Sequence, residues 1–319
     1  MTLPSLKELE QAAELVYASM QPSAQLEWPQ LNERCGCRVW VKHENHNPTG
    51  AFKVRGGLVY VYRLRQREPA VRGMITATRG NHGQSIAYAA GHHKLHSVIV
   101  VPRGNSPDKN LAMRALGAEL IVHGEDFDEA VPYAQALADE RDLHRIPSFH
   151  MDLVCGVASY SMELLRHQPG LDRVYVPIGL GSGICGMICA RNALGLDTEI
   201  VGVVSSAADC YAQSLESGQP VPTESAATVA DGMAVRVPSA EALQMMQDNV
   251  SRIIRVTDTQ VLAAMGHYFN DTHNIAEGAG AAPLAALLAE RELNSGKKVG
   301  VVLSGGNVTR SLYAKTLLS

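Results

Sequence analysis

Polar and apolar positions along this chain fall into one recurring theme. A short β-branched run leads into a turn of small residues, and then into a stretch with apolar positions three and four apart. Runs of the first kind occupy 74–77, 97–101, 119–122, 173–177, 200–204, 253–256 and 299–303. Helical spacing occupies 81–90, 109–116, 127–140 and 183–194, between those runs. Such alternation predicts a parallel, doubly wound α/β architecture. Nearer the N-terminus, Ser5-Leu6-Lys7-Glu8 is a capping-box pattern, and Leu6, Leu9, Ala13 and Val16 share a helical face. Arg38-Val39-Trp40-Val41-Lys42 alternates like a strand.

Composition narrows the function classes. With 319 residues, 46% hydrophobic and 19% charged, the chain can bury a sizeable core, which excludes a disordered chain. A net charge of -4 carries no basic excess, which argues against nucleic acid or an anionic membrane surface as a partner. No apolar stretch approaches the ~18 residues of a membrane span, and residues 1–10 lack a signal peptide's apolar run. A cytoplasmic protein is expected. Cys35, Cys37, Cys155, Cys185, Cys189 and Cys210 show no disulfide-framework spacing, and Cys35-x-Cys37 has no second pair nearby for zinc.

Candidate chemistry gathers in a few turns. Lys53 follows a glycine-containing turn and Phe52, and leads into a small, apolar stretch, Val54-Arg55-Gly56-Gly57-Leu58. An amine held beside an aromatic and short of water loses its preference for the ammonium form, and so becomes a nucleophile toward an aldehyde. Gly179-Leu180-Gly181-Ser182-Gly183 lies between a strand and a helix, where close backbone approach, free N–H groups and a helix N-terminus can hold a phosphate. Taken alone, the same residues read equally as a structural turn. Thr78-Arg79-Gly80-Asn81-His82-Gly83-Gln84 follows the first central strand, and Asn81 alone reads equally as a helix cap or a ligand. Ser304-Gly305-Gly306-Asn307 ends the last strand.

Together these segments resemble the pyridoxal-phosphate enzymes of the tryptophan synthase β-subunit class, fold type II. Within it they are most similar to the threonine/serine dehydratase and serine racemase family, which includes phenylserine dehydratase. The resemblance runs from the N-terminal helix to Ser304, with the motifs in the expected order. It implies two doubly wound lobes with parallel sheets, and pyridoxal 5'-phosphate in the cleft between them. The large domain would be 1–71 with 151–319, and the small inserted domain 72–150. The resemblance further implies Lys53 as the Schiff-base lysine and the base at Cα, with Phe52 beside it. Gly179, Leu180, Gly181, Ser182 and Gly183 would hold the phosphate, Asn81 the phenolic oxygen and Ser304 the ring nitrogen. Thr78, Arg79, Gly80, Asn81 and His82 would bind the substrate. A neutral hydroxyl at the ring nitrogen makes a milder electron sink than an aspartate, which suits β-elimination. The implied activity is an ammonia-lyase (dehydratase) turning a β-hydroxy-α-amino acid into a 2-oxo acid and ammonia. Threonine, serine or a bulkier substrate such as phenylserine would serve. A 3-hydroxyaspartate or ectoine-catabolic dehydratase, or an amino-acid racemase, are the alternatives. A homo-oligomer, a dimer, is expected on the same ground.

The departures from that family matter as well. Its phosphate loop is usually four glycines, so Leu180 and Ser182 differ, and Gly181→Asp is expected to abolish cofactor binding while the fold persists. Arg79 stands where racemases of the family place a serine base, and a guanidinium is no proton acceptor. Read on its own, it could also be a surface arginine on a loop, the less favoured of the two readings. The family's Gly-Gln-Gly-Thr near the pocket is Gly156-Val157-Ala158-Ser159 here, and an apolar Val157 would favour bulkier substrates. The glutamate of the racemases' divalent-cation site is Val204, leaving Asp209 nearby, so no metal is expected. The sequence ends soon after Ser304, so feedback through the regulatory domain of biosynthetic threonine dehydratases is not expected.

Overall fold

The computed structural model describes residues 2–125 and 127–318. The chain begins with α1 (Leu6–Tyr17), β1 (Gln25–Glu27), α2 (Pro29–Cys35), β2 (Arg38–His43) and α3 (Lys53–Arg67). Next come β3 (Gly73–Ala77), α4 (Asn81–His92), β4 (His96–Val101), α5 (Pro107–Ala115), β5 (Glu119–Val122), α6 (Phe127–Arg141) and β6 (His144–Arg145). There follow α7 (Met151–His167), β7 (Arg173–Pro177), α8 (Ser182–Ala193), β8 (Glu199–Ser205), α9 (Cys210–Ser217) and α10 (Ala240–Gln247). The last elements are β9 (Arg252–Val256), α11 (Asp258–Thr272), α12 (Gly278–Ala289), β10 (Lys298–Leu303) and α13 (Arg310–Leu318). Every expected run is a strand and every expected helical stretch a helix, with ends displaced by at most two residues. The Ser5 capping box forms, with both Ser5 and Glu8 bonding the other's backbone N–H.

Two sheets result. One has the order β1-β2-β10-β7-β8-β9 and the other β5-β4-β3-β6. All pairings are parallel except the edge pair β1–β2. β1 has three residues, too few for a pattern of its own to announce it. Period-2 alternation divides the larger sheet between two cores. Trp40, Val174, Val176, Ile200, Val204 and Val302 face one, and Val39, Val41, Tyr175, Val201, Val203 and Val301 the other. The first core continues under the smaller sheet through Met74, Ile99 and Val101, while Ile75, Ala77, Val98 and Val100 face a third cluster with residues of α6. Strands β2, β3, β4, β7, β8 and β10 are buried on both faces, as parallel sheets require, while β1, β5, β6 and β9 are more open. Among the described residues no helix is long and apolar enough to cross a membrane.

One sequence expectation changes here. Gly156-Val157-Ala158-Ser159 lies in the middle of α7, and Val157 is buried away from the pocket. A Cβ at Gly156 would overlap the backbone carbonyl of Arg55, while Val157 approaches Gly56 and Gly186. The motif lets α3, α7 and α8 pack closely, so Val157 does not shape substrate choice. Lys42, a polar position in the β2 alternation, is wholly buried. Its ammonium pairs with Glu163 at 2.5 Å, and Arg55 pairs with both Glu163 at 2.6 Å and Glu44 at 2.7 Å. This four-charge cluster sits directly beneath the first turn of α3.

Candidate active site

The loops leaving the C-terminal ends of β3, β7 and β10, together with the start of α3, line one cavity of about 550 Å³. Ligands of open α/β sheets bind at such strand ends. Phe52, Lys53, Thr78, Arg79, Gly80, Asn81, His82, Gly179, Leu180, Gly181, Ser182, Gly183 and Ser304 all contribute to its wall. Segments more than two hundred residues apart in the chain are thereby brought together.

Lys53 is the first residue of α3, and the end of β10 fixes where it stands. The Phe52 N–H donates to Ser304 O at 3.0 Å, Gly306 N–H to Gly50 O at 2.9 Å, and Ala51 bridges Gly305. The Lys53 ammonium donates to Ser182 Oγ at 2.9 Å and lies 5.1 Å from the centre of the Phe52 ring. That ring packs edge-on against Tyr160 at 5.9 Å, and the Tyr160 hydroxyl donates to Gly183 O at 3.2 Å. Burial pushes the Lys53 amine down to about 8, and among the described residues no carboxylate opposes it.

The glycine loop turns into α8 through Gly181, whose φ of 105° is open to glycine and strained for other residues. A Cβ there would also lie 2.6 Å from Ala242 Cβ. Gly181→Asp therefore disturbs the fold itself, against the expectation that the fold would persist. Among the described residues, the N–H groups of Leu180, Gly181, Ser182 and Gly183 have no protein acceptor. They ring the N-terminus of a twelve-residue helix, and the positive end of its dipole adds to them.

The Asn81 loop is built differently from its sequence reading in one respect. Gly80, not Asn81, is the N-cap of α4, so the amide is not a cap. The Gly80 N–H donates to Thr78 Oγ1 at 3.1 Å, and among the described residues the N–H groups of Asn81 and His82, at the cavity wall, have no protein acceptor. His82 is buried, its Nε2 has no partner among the described residues, and burial holds its imidazole neutral with a value near 3. Arg79 is exposed at the rim. Ser304 is buried and lines the cavity.

Several wall residues escaped the sequence reading. Glu277, Lys109 and Asp231 form a charged group inside the cavity, with Lys109 Nζ 2.6 Å from Asp231 and 3.5 Å from Glu277. Burial raises the Glu277 carboxyl to about 7, and Lys109 opposes that rise. Glu277 stood out in sequence only as a lone acid in the small apolar run 276–283, which signals an ion buried for a reason. Lys109 looked like the polar face of an ordinary helix. The rim is completed by residues 224–228 and 231–237 and by Phe127, including apolar Met233, Val235 and Val237.

This chemistry fits pyridoxal phosphate. The loop of free N–H donors matches a dianion, the depressed amine an aldehyde, and the Ser304 hydroxyl a ring nitrogen. A family model described as "Pyridoxal-phosphate dependent enzyme" matches residues 19–305. The chain is 35% identical over 279 residues to an L-threonine ammonia-lyase of Geobacter sulfurreducens, across 87% of this chain and 69% of that one. It is 32% identical over 297 residues to the biosynthetic L-threonine dehydratase of Pasteurella multocida, across 92% of this chain and 58% of the relative. It thus spans less than two thirds of that dehydratase's length. A crystal structure of a pyridoxal 5'-phosphate-dependent aspartate racemase superposes with a TM-score of 0.91 at 25% identity, over 96% of this chain and 97% of that one.

Proposed function

Because the chain belongs to the pyridoxal-phosphate dependent enzyme family, with pyridoxal 5'-phosphate as its cofactor, we propose that it is an ammonia-lyase acting on a β-hydroxy-α-amino acid. The products are a 2-oxo acid and ammonia. When bound, the cofactor supplies the electron sink that lets the Cα–H bond ionise. The phosphate is assigned to residues 179–183, the phenolic oxygen to Asn81 and the ring nitrogen to Ser304. Lys53 takes the Cα proton, since an amine lowered to about 8 is partly free base near neutrality. The unpaired N–H groups at the start of α4 orient the substrate carboxylate. Phe52 and Tyr160 exclude water beside the amine. Residues 72–150 are assigned to a small inserted domain, and 1–71 with 151–319 to the large one. A homodimer is the proposed assembly.

The observation that carries the lyase reading is Arg79 at the cavity wall, where a racemase needs a second proton acceptor. Likeness to the L-threonine ammonia-lyase supports it. Threonine and serine are the first substrates to expect. A cavity of about 550 Å³ with Phe127, Met233, Val235 and Val237 at its rim favours adding phenylserine, and Arg79 favours adding 3-hydroxyaspartate. A dehydration in ectoine breakdown belongs to the same reaction class. Racemisation is the second reading, favoured by the superposition on the aspartate racemase.

The test is a parallel assay of 2-oxo acid and D-amino acid on threonine, serine, phenylserine and 3-hydroxyaspartate, for the natural protein and Arg79→Ser. The natural protein is expected to yield mainly 2-oxo acid. Arg79→Ser should keep the cofactor, re-rank the substrates and raise the D-amino acid share. Substantial racemisation with Arg79 intact would reverse the assignment.

A further inference from the structure

The Asn81 side chain is held at both ends of its amide. Its Oδ1 accepts from Asn307 Nδ2 at 2.9 Å, and its Nδ2 donates to Glu277 Oε1 at 2.6 Å. The direction of this chain is set from outside. Asn307 Nδ2 also donates to the Thr49 carbonyl at 2.8 Å, and a backbone carbonyl only accepts. Asn307 therefore turns its NH2 end toward both partners, and only the oxygen end of Asn81 can meet it. Flipping Asn81 would set NH2 against NH2 and a carbonyl oxygen against a carboxylate.

Two glycines make room for the clamp. A Cβ at Gly50, whose φ is 67°, would lie 2.5 Å from Asn307 Oδ1, and one at Gly305 would overlap Glu277 Oε1. Glu277 is anchored as well, because its N–H donates to Gly305 O at 3.0 Å and it stands as N-cap of α12. Lys109 reaches it from α5, passing so close to Gly80 that a Cβ there would lie 2.5 Å from the lysine stem. The ammonium of Lys109 supports the acceptor state of Glu277 against its burial.

An amide NH2 carries two protons, and Glu277 takes one. We propose that Asn307 and Glu277 are positioning residues that fix the Asn81 amide so that its second N–H, not its carbonyl, is presented to the phenolic oxygen of the cofactor. This inference rests on the reading of Asn81 as the ligand of that oxygen. An N–H there stabilises a phenolate, whereas a carbonyl would repel it, so the clamp sets both the colour and the retention of the cofactor.

The experiment compares the visible absorption spectrum and the pyridoxal phosphate affinity, by equilibrium dialysis, of the holoprotein and its variants Asn81→Ala, Asn307→Asp, Glu277→Ala and Glu277→Gln. Asn307→Asp is isosteric and cannot donate to Asn81. It and Glu277→Ala are expected to move the band and weaken binding by at least about tenfold. Glu277→Gln keeps an acceptor and should restore both. Circular dichroism follows the fold, and Asn307→Ala replaces Asn307→Asp if the latter unfolds. If Asn81→Ala changes neither readout, the ligand reading of Asn81 falls and the inference with it. If Asn81→Ala changes both while the Asn307 variant and Glu277→Ala match the natural protein, the clamp alone is overturned. Equal damage from Glu277→Gln and Glu277→Ala would also overturn it, since charge and not orientation would then be what matters.

Discussion

At the scale of single residues, the environment of Lys53 decides its chemistry. An exposed lysine titrates near 10.4 and would be almost wholly protonated at neutral pH. Burial beside Phe52 brings this one to about 8, and among the described residues the only hydrogen-bond partner of its amine is a neutral hydroxyl. The free amine is the reactive form, so the rate of cofactor uptake by the apoprotein should climb as pH rises toward 8 and level off above about pH 9. Stopped-flow absorbance measures this directly. A rate still climbing past about pH 10 would mean an ordinary solvated lysine. Borohydride followed by mass spectrometry should fix the cofactor on Lys53 and leave Lys53→Ala unlabelled.

At the scale of elements, the loop into α8 separates two jobs that the sequence presents as one. Gly181 serves the backbone, through its φ of 105° and its closeness to Ala242. Gly183 serves the cavity, since a Cβ there meets nothing nearer than Phe52 at 3.5 Å. Gly181→Ala is expected to lower stability by about 1–3 kcal/mol in urea denaturation. Gly183→Asp should leave stability within about 1 kcal/mol and weaken cofactor binding at least about a hundredfold, because a carboxylate then faces the phosphate. Normal binding by Gly183→Asp would place the phosphate elsewhere.

At the scale of the whole molecule, buried charge ties the layers together. Lys42 on β2, Arg55 on α3, Glu163 on α7 and Glu44 before α3 form a closed group with no net charge, and Arg55 and Glu44 are wholly buried. Burial alone would raise the Glu44 carboxyl, but Arg55 and Lys42 outweigh it and hold Glu44 below its ordinary value. A lowered carboxylate contributes stability above its unfolded-state value, and that contribution is lost as pH falls through the folded one. Stability should therefore decline on acidification below about pH 4.5. Arg55→Met leaves the buried Glu44 carboxylate without its ion-pair partner, while Glu163 keeps Lys42, and should cost about 3–5 kcal/mol in chemical denaturation. With the carboxylates protonated, the Arg55→Met deficit should shrink. An unchanged deficit at low pH would assign the loss to packing.

The sequence by itself determined the alternation of strands and helices, because local periodicity of 2 and 3.6 carries that information in each short window. It also marked Lys53, Asn81, residues 179–183 and Ser304, since each occupies a turn whose composition is unusual for its length. Tertiary structure alone decided what surrounds them. The order of strands joined β10 to β2 and β7, and so brought Ser304 to the back of Lys53. Packing of α3 against α7 turned Gly156–Ser159 from an expected pocket motif into a helix contact. Glu277, Lys109 and Asp231 are far apart in the chain, and neither Lys109 nor Asp231 has a local pattern that distinguishes it from a solvated charge. Only folding, which places them within a few ångströms in a water-poor cavity, makes them a set.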